Sequence, residues 1–187
     1  MSQINFGKVQ QLGRALMLPV AVLPLAGLLL RLGQPDVLNI KVIAEAGDAI
    51  FGNLPILFAI GVAVGFAKDN AGAAGLAGGL GYLVLAAILK TMEHVGADGK
   101  PEKLDMGVLG GIVIGITAGL LYNRYKDVKL PSYLAFFGGR RFVPIITGVV
   151  SVAQGIFFGY VWAPIQHVIF AIGQWAVDAG PVGVFLY

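Results

Sequence analysis

The sequence predicts an all-α integral membrane protein with about five spanning helices plus short interfacial amphipathic helices, and three observations predict it. Charged residues are missing from five long stretches, 15–30, 49–67, 70–89, 106–123 and 142–177. Each is near the ~20 apolar residues a helix needs to cross ~30 Å of hydrocarbon, and the last has room for more than one element. Mean hydropathy is +0.83 and only 12% of residues are charged, where a soluble domain carries about a quarter. A water-exposed helix shows a charged face every turn or so, and these stretches have none.

The elements follow in order. Residues 4–12, with Ile4, Phe6, Val9 and Leu12 as apolar members, predict a short helix along the membrane surface. The first span is 15–30, closing at Arg31, Gly33 and Pro35. Lys8 and Arg14 precede it like the positive region of a signal peptide, but Pro19 and Pro24 interrupt its apolar run and further spans follow, so it reads as an uncleaved helix. A polar stretch with Asp36, Lys41, Glu45 and Asp48 leads to a second span at 50–67. Lys68-Asp69-Asn70 is a tight turn into the third, 71–89. A charged loop, 90–105, holds Glu93, His94, Asp98, Lys100 and Lys103. The fourth span is 106–123, followed by a basic, aromatic loop over 124–141. The fifth is 142–162, with Pro164 expected to end it; an interfacial stretch containing Trp175 and Asp178 and a last apolar run follow.

Positive charge orients such spans. With the N-terminus in the cytoplasm, eight of the 13 basic residues fall inside: Lys8, Arg14, Lys68, Arg124, Lys126, Lys129, Arg140 and Arg141. Arg31, Lys41, Lys90, Lys100 and Lys103 fall outside. The net charge of +3 is scattered and matches lipid headgroups rather than nucleic acid.

Gly107, Gly111, Gly115 and Gly119 recur every four residues in the fourth span and share one helix face, the spacing that lets a second helix approach closely in lipid. The chemistry is mostly one of absence. With no cysteine there is no disulfide, thiolate metal site or phosphocysteine. His94 and His167 lack the companions of a metal site. No nucleophile elbow, phosphate loop or cofactor fingerprint occurs, so neither a catalytic residue nor a cofactor is expected. Two places remain. The 129–144 loop reads either as a positive anchor with interfacial aromatics or as a gate or docking loop, where Arg140 and Arg141 would meet an anionic partner. Asn53, at the outer entry of the second span, either caps a helix or makes an interhelical hydrogen bond, or else offers its carboxamide to sugar hydroxyls.

Three stretches carry a family resemblance. They are Leu12-Gly-Arg-Ala-Leu-Met-Leu-Pro-Val-Ala-Val-Leu-Pro24, the run from Ala46-Gly-Asp-Ala-Ile-Phe-Gly-Asn-Leu-Pro to Ala63, and Lys129-Leu-Pro through Gly138-Gly-Arg-Arg-Phe-Val-Pro144. With them the chain resembles enzyme IIC, the membrane component of the glucose and N-acetylglucosamine permeases of the bacterial sugar phosphotransferase system. Residues 28–39 look like the N-acetylglucosamine branch. The resemblance implies uptake of N-acetylglucosamine or glucose across the bacterial cytoplasmic membrane, coupled to phosphorylation by a partner domain, enzyme IIB, which carries the phosphocysteine. It also implies a homodimer among membrane lipids, and a coupling or gating role for Arg140 and Arg141. The family's membrane domain runs on through further helices and re-entrant hairpins that hold its main sugar-binding motifs. Residues 1–187 are therefore expected to be the N-terminal scaffold part, truncated and not self-sufficient for transport or phosphoryl transfer. The alternatives are a non-transporting membrane subunit that only dimerises with an intact permease, and a small pore.

Overall fold

In hydrocarbon each backbone N–H and C=O has to find its partner within the protein, and a helix does this within one segment. The computed structural model describes residues 6–92, 94–95 and 101–178, and these form seven α-helices. Helix α1, Phe6–Val20, and α2, Leu23–Gly33, are parted by a turn at Ala21 and Val22. Pro24 falls in the first turn of α2, where a missing N–H costs nothing. Residues 10–33 together are long and apolar enough for one membrane crossing. The short surface helix expected over 4–12 is not separate, because its described part runs straight into α1.

Helices α3, Lys41–Gly52, and α4, Leu54–Phe66, meet at Asn53 with a bend of 56°. The stretch expected as one span at 50–67 is thus broken near its start, and Pro55 opens the second piece. Helix α5 is Gly72–Thr91 and α6 is Gly107–Tyr125, each apolar enough to cross a membrane. Between them, β1 (His94–Val95) and β2 (Pro101–Glu102) form a short antiparallel pair inside what reads as plain loop. Ile4, Glu93, Asp98, Lys100 and the apolar run 179–187 lie outside the described residues.

Helix α7 is Phe142–Asp178, 37 residues that pass through Pro164 without ending. This corrects the expected stop. In lipid, ending the helix at Pro164 would leave still more backbone groups without partners than the one carbonyl the proline frees, and side chains on both sides of Pro164 anchor the helix to the chain before α6. At 1.5 Å per residue α7 is ~55 Å long, well beyond the ~30 Å of hydrocarbon.

Helix α4 sits at the centre, packed by α1, α5 and α6, and α7 covers α5. Small residues make this possible. A Cβ on Gly111 would strike the carbonyl oxygen of Pro55, one on Gly115 would lie 2.7 Å from Val62 Cβ, and one on Gly119 would strike Phe66 Cβ. From the other side, a Cβ on Gly78 would lie 2.5 Å from Ala59 O. Gly107, the fourth member of the expected stripe, does not pack there. Nothing lies within 4 Å of its Cβ position, and its φ of +51° marks it as the left-handed turn that starts α6. On α7, Thr147, Ser151 and Gln154 recur at i, i+4 and i+7 and face α5 and α6. Gln154 Nε2 donates to Thr117 Oγ1 at 2.9 Å. Thr147 Oγ1, Ser151 Oγ and Gln154 Oε1 are buried without a hydrogen-bond partner among the described residues.

Candidate functional site

Apart from the row of Thr147, Ser151 and Gln154 along α7, two polar clusters stand out, one at each end of the bundle. At one end α4 turns into α5 through Lys68-Asp69-Asn70, with Asn70 in the left-handed region at φ 49°. The end of α6 grips this turn. Asn123 accepts the Lys68 N–H on Oδ1 at 2.9 Å and donates from Nδ2 to Phe66 O at 2.8 Å. Tyr122 donates its hydroxyl to Asp69 Oδ2 at 2.9 Å. Lys126 Nζ lies 3.5 Å and Arg140 Nη2 3.1 Å from the same carboxylate oxygen. Partial burial pushes the Asp69 carboxyl up, but the Tyr122 hydrogen bond and the charges of Lys126 and Arg140 outweigh it and hold the group below its ordinary value.

Arg140 and Arg141, adjacent in sequence, do different things. Arg140 reaches the turn. Arg141 lies over the Phe136 ring at 4.7 Å and donates from Nη1 to Phe136 O at 3.2 Å. The loop that carries them is two short 3-10 turns, Ser132–Phe137 and Gly139–Arg141. Gly139, with φ +63°, allows the chain to double back so that its N–H meets Val128 O at 2.8 Å. Tyr133 and Phe136 are 81% and 70% exposed, so the loop presents aromatic rings beside cations rather than burying them.

At the other end Asn53 occupies the α3–α4 break. Its Nδ2 donates to Ala49 O at 2.8 Å, closing the last turn of α3. That leaves its carboxamide oxygen and one N–H for other partners. Asn53 also lines a cleft of about 360 Å³ with Pro55, Tyr82, Lys90, Lys103 and Asp105. The connecting segment that supplies Lys103 and Asp105 is held by α7. Gln166, 5% exposed, accepts the Asp105 N–H at 3.1 Å and donates to Lys103 O at 3.1 Å. Trp162 Nε1 donates to Asp105 O at 3.1 Å. Asp105 Oδ1 accepts the Gly107 N–H at 2.8 Å.

Thus Asn53 lies at one end and the arginines at the other, and the structure does not bring them together. Sequence reasoning missed Asp69 as the hub. Its three partners lie 53 to 71 residues away, and the only local hint was an acid in a turn opposite a basic loop. It also missed Tyr82 and Asp105, whose meeting with Asn53 depends on how α4, α5 and the start of α6 pack.

The family model for the phosphotransferase system, EIIC, matches residues 13–187. The N-acetylglucosamine-specific EIICBA component of Escherichia coli K12 is 55% identical over 177 residues, covering 95% of this chain and 26% of that protein. The N-acetylglucosamine-specific EIICB component of Bacillus subtilis 168 is 46% identical over 179 residues, covering 96% and 38%. The glucosamine-specific EIICBA component of the same organism is 49% identical over 187 residues, covering 97% and 29%. The chain therefore spans between about a quarter and two-fifths of the length of these relatives.

Proposed function

This chain belongs to the EIIC family of the phosphotransferase system, and from that membership we propose that it forms the N-terminal scaffold of a sugar permease specific for N-acetylglucosamine. The observation that carries the reading is the 55% identity over 95% of the chain to a relative named for that sugar. Glucose and glucosamine are the competing substrates. The permease takes up the sugar and a IIB domain phosphorylates it, a partner that the names EIICBA and EIICB indicate is fused to the membrane component in those relatives.

The N-terminus lies in the cytoplasm in this reading, which places the Asp69 cluster and the 129–144 loop on the cytoplasmic face of the bacterial inner membrane. Two copies assemble as a homodimer. Asn53 faces the outer side and contacts sugar. Arg140 and Arg141 couple uptake to phosphorylation. The ion pair of Arg140 with Asp69 ties the coupling loop to the turn between α4 and α5. Arg141, resting on the exposed Phe136 ring, is the guanidinium that meets a docking anion in this reading.

The test is a chimera. This chain replaces the matching 177 residues of the Escherichia coli protein, and uptake of labelled N-acetylglucosamine is measured in cells lacking their own permease. Restored uptake with N-acetylglucosamine preferred over glucose and glucosamine is expected. Preference for another sugar overturns the substrate. In the same chimera Arg140→Ala with Arg141→Ala is expected to lower sugar phosphorylation at saturating sugar while leaving half-saturation nearly unchanged. Unaltered phosphorylation reduces the pair to an anchor.

A further inference from the structure

The cleft at the Asn53 end has more chemistry than one carboxamide. Its volume of about 360 Å³ stands at the small end of ligand pockets, which run from about 300 to 1,000 Å³. That is room for one sugar ring and too little for two. Its lining combines apolar Pro55, Ile56, Leu83 and Ala86 with polar Asn53, Tyr82, Lys90, Lys103 and Asp105. Apolar surface together with mixed donors and acceptors matches a pyranose, which has a C–H face and a rim of hydroxyls. Asn53 and Tyr82 each donate and accept, the two lysines only donate, and the ionised Asp105 only accepts.

The cleft is also prebuilt. Both backbone groups beside Leu104 are tied to Gln166, and Trp162 holds the Asp105 carbonyl, so this part of its lining is fixed before any guest arrives. Asp105 spends one lone pair on the Gly107 N–H and keeps the rest of its carboxylate. Two ammonium groups against one carboxylate leave the lining with a net positive charge, which disfavours a cationic guest.

We propose that this cleft is a capture site for a single uncharged N-acetylated amino sugar, with Tyr82, Lys90 and Asp105 as its specificity residues beside Asn53. The inference rests on the permease reading for its sugar class but concerns binding by this chain alone. N-acetylglucosamine sits with its ring against the apolar lining and its hydroxyls against Asp105 and Tyr82. Lys90 and Lys103 repel the ammonium of glucosamine.

Equilibrium dialysis of radiolabelled N-acetylglucosamine against the full chain in lipid nanodiscs tests this directly. Saturable binding is expected, displaced by unlabelled N-acetylglucosamine and far less well by glucosamine or by the β-1,4-linked disaccharide of N-acetylglucosamine. Tyr82→Phe, which keeps the ring, is expected to weaken binding by about 2- to 10-fold, the range of one neutral hydrogen bond. Lys90→Met is expected to narrow the preference over glucosamine. Ala86→Leu keeps every polar group and adds bulk to the apolar lining, so binding is expected to vanish while helix content by circular dichroism stays. No saturable binding by the wild-type chain overturns the proposal, as does full binding by Ala86→Leu. If the chimera transports N-acetylglucosamine while the chain alone binds none, the capture site fails and the permease reading stands. If the chain binds the sugar and the chimera prefers another, the permease reading fails instead.

Discussion

Gly111→Ala is the sharpest probe of the fold. The added methyl would run into the Pro55 carbonyl oxygen and lie 3.0 Å from Pro55 C and 3.3 Å from Ala59 N. All three are backbone atoms, so no side-chain rotation relieves the clash, and α4 and α6 have to part. Overpacking of this kind costs about 1–3 kcal/mol, and a rigid carbonyl puts the cost at the upper end. Alanine returns up to about 1 kcal/mol of helix propensity. The net loss is therefore about 2 kcal/mol, or roughly 4–8 °C in midpoint for a chain of this length. The assay is thermal unfolding in detergent followed by tryptophan emission, since Trp162 and Trp175 are the only indoles. Gly72→Ala is the control, because nothing lies within 4 Å of its Cβ position, and it is expected within about 0.5 kcal/mol of wild type. A Gly111→Ala midpoint equal to or above wild type would refute the close approach of α6 to α4.

Three further outcomes are expected. The Asp69 carboxyl is held below its ordinary value, so the stability it lends is complete above the usual aspartate range near about pH 4 and is lost as pH falls through the lowered folded value; Asp69→Asn should flatten the acid limb of a plot of midpoint against pH, and an unchanged limb contradicts the cluster. Thr147→Val removes a buried hydroxyl that has no partner among the described residues at nearly constant shape, and should raise the midpoint by a shift worth about 1 kcal/mol; a drop would reveal a bond that the hydroxyl makes. Gln166→Leu strands the Asp105 N–H and the Lys103 carbonyl, should cost about 2–4 kcal/mol, and should speed protease cleavage near residue 103; an unaltered cleavage rate would show the segment is held by other means.

The absence of charge was enough to read the helical membrane class, because hydrocarbon tolerates few alternatives. What stayed hidden were the interruptions. Asn53-Leu54-Pro55 looks like part of one apolar run, yet Pro55 is better read as the first turn of a new helix. Pro164 invited the opposite error, since a proline that stops a helix in water need not do so in lipid. The four-residue glycine spacing pointed to a close seam, but whether Gly107 belonged to it depended on its φ, which spacing does not reveal. Arg140 and Arg141 looked interchangeable as a basic pair. Only the tertiary placement of Asp69 and Phe136 separates them.

Helix α7 starts directly after Arg141 and, some twenty residues on, holds Lys103 and Asp105 through Trp162 and Gln166. It is a stiff strut fastened at both ends of the bundle. One continuous element thus joins the residue beside the arginine loop to the side chains that hold Lys103 and Asp105, so the two ends of the bundle share a helix although they share no side-chain contact.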